Sequence, residues 1–444
     1  MPRLHRVRRR TLRALMPAAL LASAFTTGLF ADDAPTIRTI APSKSFLLVS
    51  VDDMRGSVER FKKTPLHELW KSETVQTAVA DEWKEFNESI SKRLEELGLP
   101  EDTLSWPVSG GLAMFLERNE ELDTSEPMFV AIADWGDGAD KMAAFFDASL
   151  AEVAKETPDA IETKEIRGRK ATIFTPPTPA PQEPDPFSGM GADPMPKIEK
   201  IVYVRDGSRF LLSSGTYAME DALTAIDVPP TKLVTDEEDA RGALQQIGSG
   251  DVVAILRTGP LAPMVEQMAM GPAALVLPLL GQLFGDIQAY GFSVTVDAPV
   301  GMLDSTITVY TPEGRKGLLT LVDEGPVAPA PAIVPQDAIG YSHINVAFGK
   351  TMDLVDSIVA GMPEEFAENI DQSLQMYGPT LRKAFAVLGP DVHVYTAISQ
   401  PITPDSESST VAIACSDEQA VIPLINMFAP MMGFESRDFV GQTI

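Results

Sequence analysis

Apolar residues recur along this chain with two periods, and each period predicts one kind of regular structure. From residue 73 to 97 they lie three or four positions apart, which puts them on one face of a helix that Gly98 and Pro100 end. We expect this stripe to pack onto a sheet; it consists of Val79, Trp83, Phe86, Ile90, Leu94 and Leu97. Short apolar runs bounded by turn residues predict strands at 45–51, 112–116, 128–133, 201–204, 210–213, 252–256, 292–296, 305–310, 339–345, 392–398 and 410–414.

The order of these elements predicts a unit that occurs three times. Each unit has a strand, helix, a pair of strands and a closing helix, and the closing helices begin near Ala139, Arg315 and Gln419. The first and third units are the most alike, since MFVAIAD at 128–134 corresponds to STVAIAC at 409–415. The fold class is therefore α+β, with largely antiparallel sheets and with helices packed on one face.

A hairpin follows the closing helix in both of these units. Gly168 lies where a two-residue turn needs positive φ, and Gly441 repeats the arrangement in the third unit. Gly168 is followed by a further strand, whereas Gly441 is followed by three residues. Because an early end would leave an unpaired sheet edge, we expect the natural protein to continue beyond Ile444.

The first 31 residues have the layout of a secretory leader. Six arginines precede an uncharged apolar run from 14 to 31. We expect cleavage near Ala31; the alternatives are cleavage after the triplet 22–24 and retention of the leader as a signal anchor. Each alternative predicts an exported protein, located in the periplasm or the cell envelope.

Composition along the remaining chain predicts its organisation. The first unit covers 45–228 and contains a proline-rich loop at 176–196. A second, looser unit covers 229–324, a proline-rich linker covers 325–336, and the third unit covers 337–444 and is predicted to be truncated.

The charge and cysteine content exclude several classes of protein. The chain has 36 Lys and Arg against 63 Asp and Glu, a formal charge of −27, and the leader carries only basic charges. So acidic a chain repels polyphosphate, which excludes nucleic acid as a partner. Cys415 is the only cysteine, so the chain cannot form an intramolecular disulfide.

Sequence motifs for binding or catalysis are incomplete. Residues 349–351 (GKT) resemble the end of a phosphate-binding loop, but Ile344 occupies the position of the required glycine. The loop 134–140 fails the calcium-loop pattern, and we interpret it as a turn that caps the next helix. The three histidines after the leader are too scattered for a zinc motif; they are His67, His343 and His393.

We therefore assign no catalytic residue, no cofactor-binding residue, no metal ligand and no cofactor. Cys415 is expected to be a small buried thiol, with His393 as the one candidate partner for a nucleophile. Residues 266–286 form an apolar segment of borderline length, in which prolines and glycines disfavour a membrane span. We expect it to be buried or to face a partner, with no stable transmembrane span after cleavage of the leader.

Several segments together carry a resemblance to a known group of proteins. They are residues 63–76 (KTPLHELWKSETVQ), the PMFVAIADWGD segment, the EIRG hairpin, residues 400–413 (QPITPDSESSTVAI) and the ending SRDFVGQTI. The chain resembles a family of exported planctomycete proteins that is catalogued as a domain of unknown function. The resemblance implies a signal peptide and more chain after the last hairpin, and it implies no activity, cofactor or catalytic residue.

Three hypotheses about function follow. The first is an exported, non-enzymatic structural or interaction protein of the cell envelope, whose partner is an envelope protein. The second is a periplasmic binding module for a small apolar ligand, lined by the methionine-containing segment 260–284. The third is an enzyme of unrecognised type, which would need His393 and Cys415 within hydrogen-bond reach.

Overall fold

The computed structural model describes most of the chain after residue 39. The described residues are 40–78, 80–104, 110–118, 127–176, 200–228, 230–262, 281, 283–297, 302–322, 331–335, 338, 340–362, 364–398, 407–428, 438–439 and 442–443. The predicted leader lies outside these residues, as do nearly all of loop 176–196 and parts of segment 260–284 and linker 325–336.

The chain forms two compact bodies. The larger body consists of Met1–Gln267 and Ile287–Pro312, and the smaller body consists of Met268–Asp286 and Glu313–Ile444. Strands from the first and the second predicted units lie in the larger body, where they hydrogen-bond within one sheet.

The larger body is built on a ten-stranded sheet. Its strands are β1 (Ser45–Val51), β2 (Leu112–Arg118), β3 (Pro127–Asp134), β4 (Ile161–Ile166), β5 (Arg169–Phe174), β6 (Ile201–Asp206), β7 (Arg209–Ser213), β8 (Val252–Arg257), β9 (Ala289–Asp297) and β10 (Met302–Tyr310). They lie in the order β10-β9-β8-β1-β2-β3-β7-β6-β5-β4. Every neighbouring pair is antiparallel, which confirms the predicted α+β class with antiparallel pairing.

Helices cover both faces of this sheet, so the prediction that they pack on one face is wrong. The helices are α1 (Met54–Phe61), α2 (Pro65–Lys71), α3 (Glu73–Ala78), α4 (Ala80–Glu96), α5 (Ala139–Glu156), α6 (Thr216–Asp227) and α7 (Glu238–Ile247). Val130 and Ile132 of β3 belong to one buried cluster with α6 and α7. Ala131 and Ala133 belong to a second cluster, with α5 and the end of α4. Because apolar residues occupy successive positions of the central strands, both faces must be covered.

The predicted helix 73–97 is present as α3 and α4, and its apolar stripe packs towards its end. Leu94 is buried, and Ile90 and Leu97 are partly buried against the cluster that includes α5. Phe86 is 39% exposed. The side chains of Val79 and Trp83 lie outside the described set.

A buried carboxylate joins α1 to the sheet. Asp251 accepts hydrogen bonds from the Ser57 hydroxyl and from the Arg60 guanidinium, and it also accepts one from the backbone N–H of Val296 at 2.7 Å. Burial by itself would raise the pKa of Asp251, but these hydrogen bonds outweigh burial, and the pKa lies below its ordinary value. This carboxylate is ionised and fully paired, as a structural role requires.

The smaller body contains a three-stranded antiparallel sheet, in the order β11 (Gly340–Asn345), β12 (Leu388–Ile398) and β13 (Glu407–Cys415). Its helices are α8 (Thr351–Ala360), α9 (Glu364–Val387) and α10 (Glu418–Phe428), and a short hairpin follows, formed by β14 (Asp438–Phe439) and β15 (Gln442–Thr443). The closing helices predicted near Ala139 and Gln419 are confirmed as α5 and α10.

The prediction of a closing helix near Arg315 is wrong. A single 3₁₀ turn, Gly317–Leu321, occupies this place, and Val322 then makes an isolated bridge to Val346. Gly314 and Gly317 both have positive φ, at 87° and 57°. Two left-handed residues so close together interrupt a right-handed helix.

The turn between β4 and β5 has the predicted geometry. Arg167 has φ of 49° and Gly168 has φ of 76°, so both central residues are left-handed, as in a type I′ turn. A Cβ atom added at Gly168 would meet no atom within 4 Å. The glycine is therefore needed for its backbone conformation and not for space.

Candidate functional site

Two of the scattered histidines meet in the smaller body. The antiparallel register places His343 on β11 directly opposite His393 on β12. Tyr341 and Asp391 lie two residues away on the same strands, and side chains two residues apart in a strand point to the same face. We call these four residues the histidine cluster.

Contacts within the histidine cluster are close and directional. The two imidazole rings stack with centroids 5.0 Å apart and planes 23° apart. Nε2 of His343 lies 2.9 Å from Oδ1 of Asp391, and Nδ1 of His393 lies 2.9 Å from the hydroxyl of Tyr341. Because an ionised carboxylate can only accept, Nε2 of His343 carries the proton in that bond.

The sequence did not predict this cluster, because the positions of the histidines along the chain do not show which of them lie opposite each other in a sheet. His393 lies fifty residues after His343, whereas the histidines of a zinc-finger motif are separated by three to five residues. The signal that could have found them was their place in two predicted strands, 339–345 and 392–398. What the pattern did not provide was the register that sets the two rings opposite each other.

The pair of Cys415 and His393 is not brought together. The register sets Cys415 opposite Leu388 and His393 opposite Ala412. Ala412 and Cys415 are three residues apart on β13, so their side chains point to opposite faces, about 10 Å apart along the strand. Cys415 is also exposed, so the expectation of a buried thiol is wrong. It occupies the end of β13, which has one neighbour in the sheet.

The opposite face of the same sheet is apolar. Val411 is 61% exposed, Ile344 is 47% exposed and Ile413 is 36% exposed. The register sets Ile413 opposite Val392 on β12, and Val392 opposite Ile344 on β11. We call this surface the apolar face; it consists of Ile344, Val392, Val394, Val411 and Ile413. A row of exposed branched aliphatic side chains on a sheet is typical of an interaction surface.

The larger body contains a buried ionisable group. Glu117 on β2 is fully buried, and its neighbour across the strand pair is Ser45 on β1, which is also fully buried. Nζ of Lys44 lies 3.5 Å from Oε1 of Glu117 and donates a hydrogen bond to Asp221 on α6. Among the described residues neither carboxyl oxygen of Glu117 has a hydrogen-bond partner.

Burial controls the ionisation of Glu117. Removal from water raises the pKa of Glu117 from 4.5 to about 7, and the positive charge of Lys44 acts in the opposite direction without cancelling it. Arg257, which lies nearby, has other hydrogen-bond partners. Its Nε donates to Oδ1 of Asp239 at 2.8 Å, and its Nη1 donates to the carbonyl oxygen of Ser45. Glu117 is therefore a buried carboxyl that titrates near neutral pH.

The two loops considered for ligand binding have local structural roles. Oδ1 of Asp134 accepts from the N–H of Gly136 at 2.9 Å, and a 3₁₀ turn, Gly136–Gly138, leads into α5. Loop 134–140 is therefore a turn that leads into α5, but the N-cap of α5 is Gly138, and no side chain of the loop caps the helix. Residues 348–350 form a 3₁₀ turn that leads into α8.

Among the residues that the structure describes, no three or more His, Cys, Asp or Glu side chains are grouped to hold a metal ion. Within the same part of the chain, no helix combines the length and apolar character that crossing a membrane requires.

No protein-family model, no curated protein and no solved structure matches this chain.

Proposed function

We propose that this protein is an exported, non-enzymatic interaction protein of the cell envelope, and that the apolar face of the smaller body docks a partner protein. The basic, apolar leader supports export, and the resemblance to exported planctomycete proteins supports the same location. The strongly acidic composition favours a protein or cationic partner over nucleic acid. The observation that carries the proposal is the exposure of Val411 and Ile413.

We infer further that the chain contains three copies of one unit. The first, second and third copies pair their strands in the same order, β1-β2-β3, β8-β9-β10 and β11-β12-β13, and each pairing is antiparallel. Element order also supports the first and third copies, since α5 follows β3 and α10 follows β13.

Equivalent residues in the two copies differ greatly in exposure. The likeness of 128–134 to 409–415 makes Val130 the counterpart of Val411, and Ile132 the counterpart of Ile413. Val130 is 0% exposed and Ile132 is 1% exposed, because they pack in the cluster that contains α6 and α7. Their counterparts keep the apolar character but are not covered. The matching partner therefore presents amphipathic helices, as α6 and α7 do.

Covering the apolar face contributes to binding in proportion to its present exposure. Full burial of a valine or isoleucine side chain contributes about 1.5–3 kcal/mol. Ile344, Val411 and Ile413 are 47%, 61% and 36% exposed, which is about one and a half side chains in total, so covering them contributes about 2–4 kcal/mol. Such a surface suits a partner with a continuous apolar stripe better than it suits a small ligand, because it is an open sheet face.

Site-specific photocrosslinking tests the proposal. A photoreactive amino acid replaces Val411 in the full chain in its native host, and a control variant carries the same group at Ile307. Ile307 lies on β10, is 74% exposed and lies outside the apolar face. We expect one discrete crosslinked envelope protein from position 411 and not from position 307. The proposal is wrong if position 411 gives no adduct, or if both positions give the same products.

A further inference from the structure

We propose that β10, an edge strand of the ten-stranded sheet, pairs with β10 of a second copy of this chain. The protein is then a dimer whose sheet continues from one copy into the other. Within the described part of the chain, β10 has β9 on one side and no strand on the other. The dimer contact is independent of the docking function, because β10 belongs to the larger body and the apolar face to the smaller one.

The two edges of the ten-stranded sheet differ in their protection against pairing. At one edge, β4 carries three exposed charged residues among its six, namely Glu162, Lys164 and Glu165. Charged side chains and bulges are the usual means by which an edge strand resists pairing with another chain. At the other edge, the nine residues of β10 include one charge, Asp304, and their register with β9 is unbroken from end to end. The chain therefore blocks one edge and leaves the other open.

The backbone of β10 directs hydrogen-bonding groups away from the sheet at alternate residues. The carbonyl of Tyr310 accepts from the N–H of Gln288 at 2.9 Å, so Tyr310 bonds on the side of β9. Because successive residues of an antiparallel strand bond on opposite sides, the odd-numbered residues direct their N–H and C=O groups outwards. These residues are Leu303, Ser305, Ile307 and Val309.

Side chains of the same four residues lie together on one face of β10. The other face is the one on which the Thr308 hydroxyl donates to Gln246 of α7. Leu303 is 46% exposed and Ile307 is 74% exposed. Outward backbone groups and exposed apolar side chains therefore occur at the same positions of the edge.

This edge is complementary to itself. In an antiparallel pair with its two-fold axis at Thr306, all nine residues find a partner, and Leu303 lies opposite Val309 of the second copy. Ser305 lies opposite Ile307, so each of these pairs joins two outward-directed residues and exchanges two hydrogen bonds. Apolar and threonine pairs across strands are favourable, and Asp304 falls opposite Thr308 and not opposite itself. A contact with a two-fold axis also closes on two copies, which explains why the open edge does not lead to a filament.

Light scattering on the full chain, coupled to size-exclusion chromatography, tests this dimer and its register. One variant combines Ser305→Lys with Ile307→Lys, which sets like charges opposite each other twice across the axis. The matched control combines Ser305→Glu with Ile307→Lys, which sets opposite charges at the same two places. Both positions are exposed, so a single copy tolerates either change. Circular dichroism checks that the two variants are folded.

We expect the wild type and the Glu/Lys variant to have twice the mass of one chain. The Lys/Lys variant should associate about tenfold to a hundredfold more weakly than the Glu/Lys variant, because cross-strand like charges repel and opposite charges attract. A photoreactive group at Ile307 should link two copies of this chain, a product different from the envelope-protein adduct expected at Val411. The dimer is refuted if the wild type has the mass of one chain, and the register is refuted if the two charge variants associate equally.

Discussion

The buried carboxyl of Glu117 predicts a specific dependence of stability on pH. Glu117 is 0% exposed, and its pKa is raised by burial to about 7, against the opposing charge of Lys44. Glu117→Gln replaces this carboxyl by an amide of nearly the same shape. Because the amide is neutral at every pH, the variant mimics the protonated acid and removes its titration.

The sign of the effect follows from the direction of the pKa shift. The folded protein holds the proton of Glu117 more tightly than the unfolded chain does, because the pKa rises from 4.5 to about 7 on folding. The resulting stabilisation is complete below pH 4.5 and is lost as the pH rises through about 7. At 1.36 kcal/mol per pKa unit, the full effect is about 3 kcal/mol, and most of it falls between about pH 5 and about pH 8.

Urea unfolding followed by tryptophan fluorescence measures this effect. Trp70 and Trp135, the two tryptophans whose side chains are described, lie in the larger body, so their fluorescence reports the body that contains Glu117. We expect wild type and Glu117→Gln to differ little at about pH 5. At about pH 8 the variant should be the more stable by about 2–3 kcal/mol, since the wild type then buries a charge.

Glu165→Gln is the control, because Glu165 is an exposed glutamate on β4 of the same sheet. Its stability relative to the wild type should stay constant across the range of pH. A difference between Glu117→Gln and the wild type that does not change with pH would refute the reasoning, and so would an equal change in the Glu165 variant.

Three further predictions concern a turn, an ion pair and a thiol. Gly168→Ala should cost about 1–2 kcal/mol in urea unfolding because φ is 76°, whereas Gly259→Ala, which is equally uncrowded but lacks positive φ, should cost almost nothing. Asp251→Asn should destabilise the larger body by about 3 kcal/mol at neutral pH. Because the pKa of Asp251 is lowered from 3.8 in the folded protein, this cost should shrink as the pH falls below 3.8 and the carboxylate becomes protonated. A thiol reagent should label exposed Cys415 without denaturant, and labelling that requires unfolding would contradict the structure.

The strands were predictable because their signal is local. Each of the eleven predicted strands is present, and most extend beyond the predicted bounds, such as β12, which begins at Leu388 and not at residue 392. Alternation of side chains within a run of five residues reveals a strand. The true ends depend on how far the neighbouring strand continues the hydrogen-bond ladder, and a single run does not contain that information.

The sites were harder to predict because they depend on pairs. His343 and His393 were both placed in strands, yet their contact follows from the register of β11 with β12. Glu117 stands at the end of an apolar run, where the local sequence does not show that it is buried. Its raised pKa comes from burial beside β1 and α6. Local sequence gives the identity of such groups but not their surroundings.

By itself the sequence determined the α+β class, the places of the strands and of most helices, the left-handed turn at Gly168 and the strongly acidic charge. These are properties of short segments or of composition, for which propensity and periodicity suffice. The tertiary structure decided that helices cover both faces of the larger sheet, that Glu117 lies in the core and that Val411 lies outside it. Burial is set by contacts between distant segments, so the same valine-alanine-isoleucine run is part of a core at 130–132 and of an exposed face at 411–413.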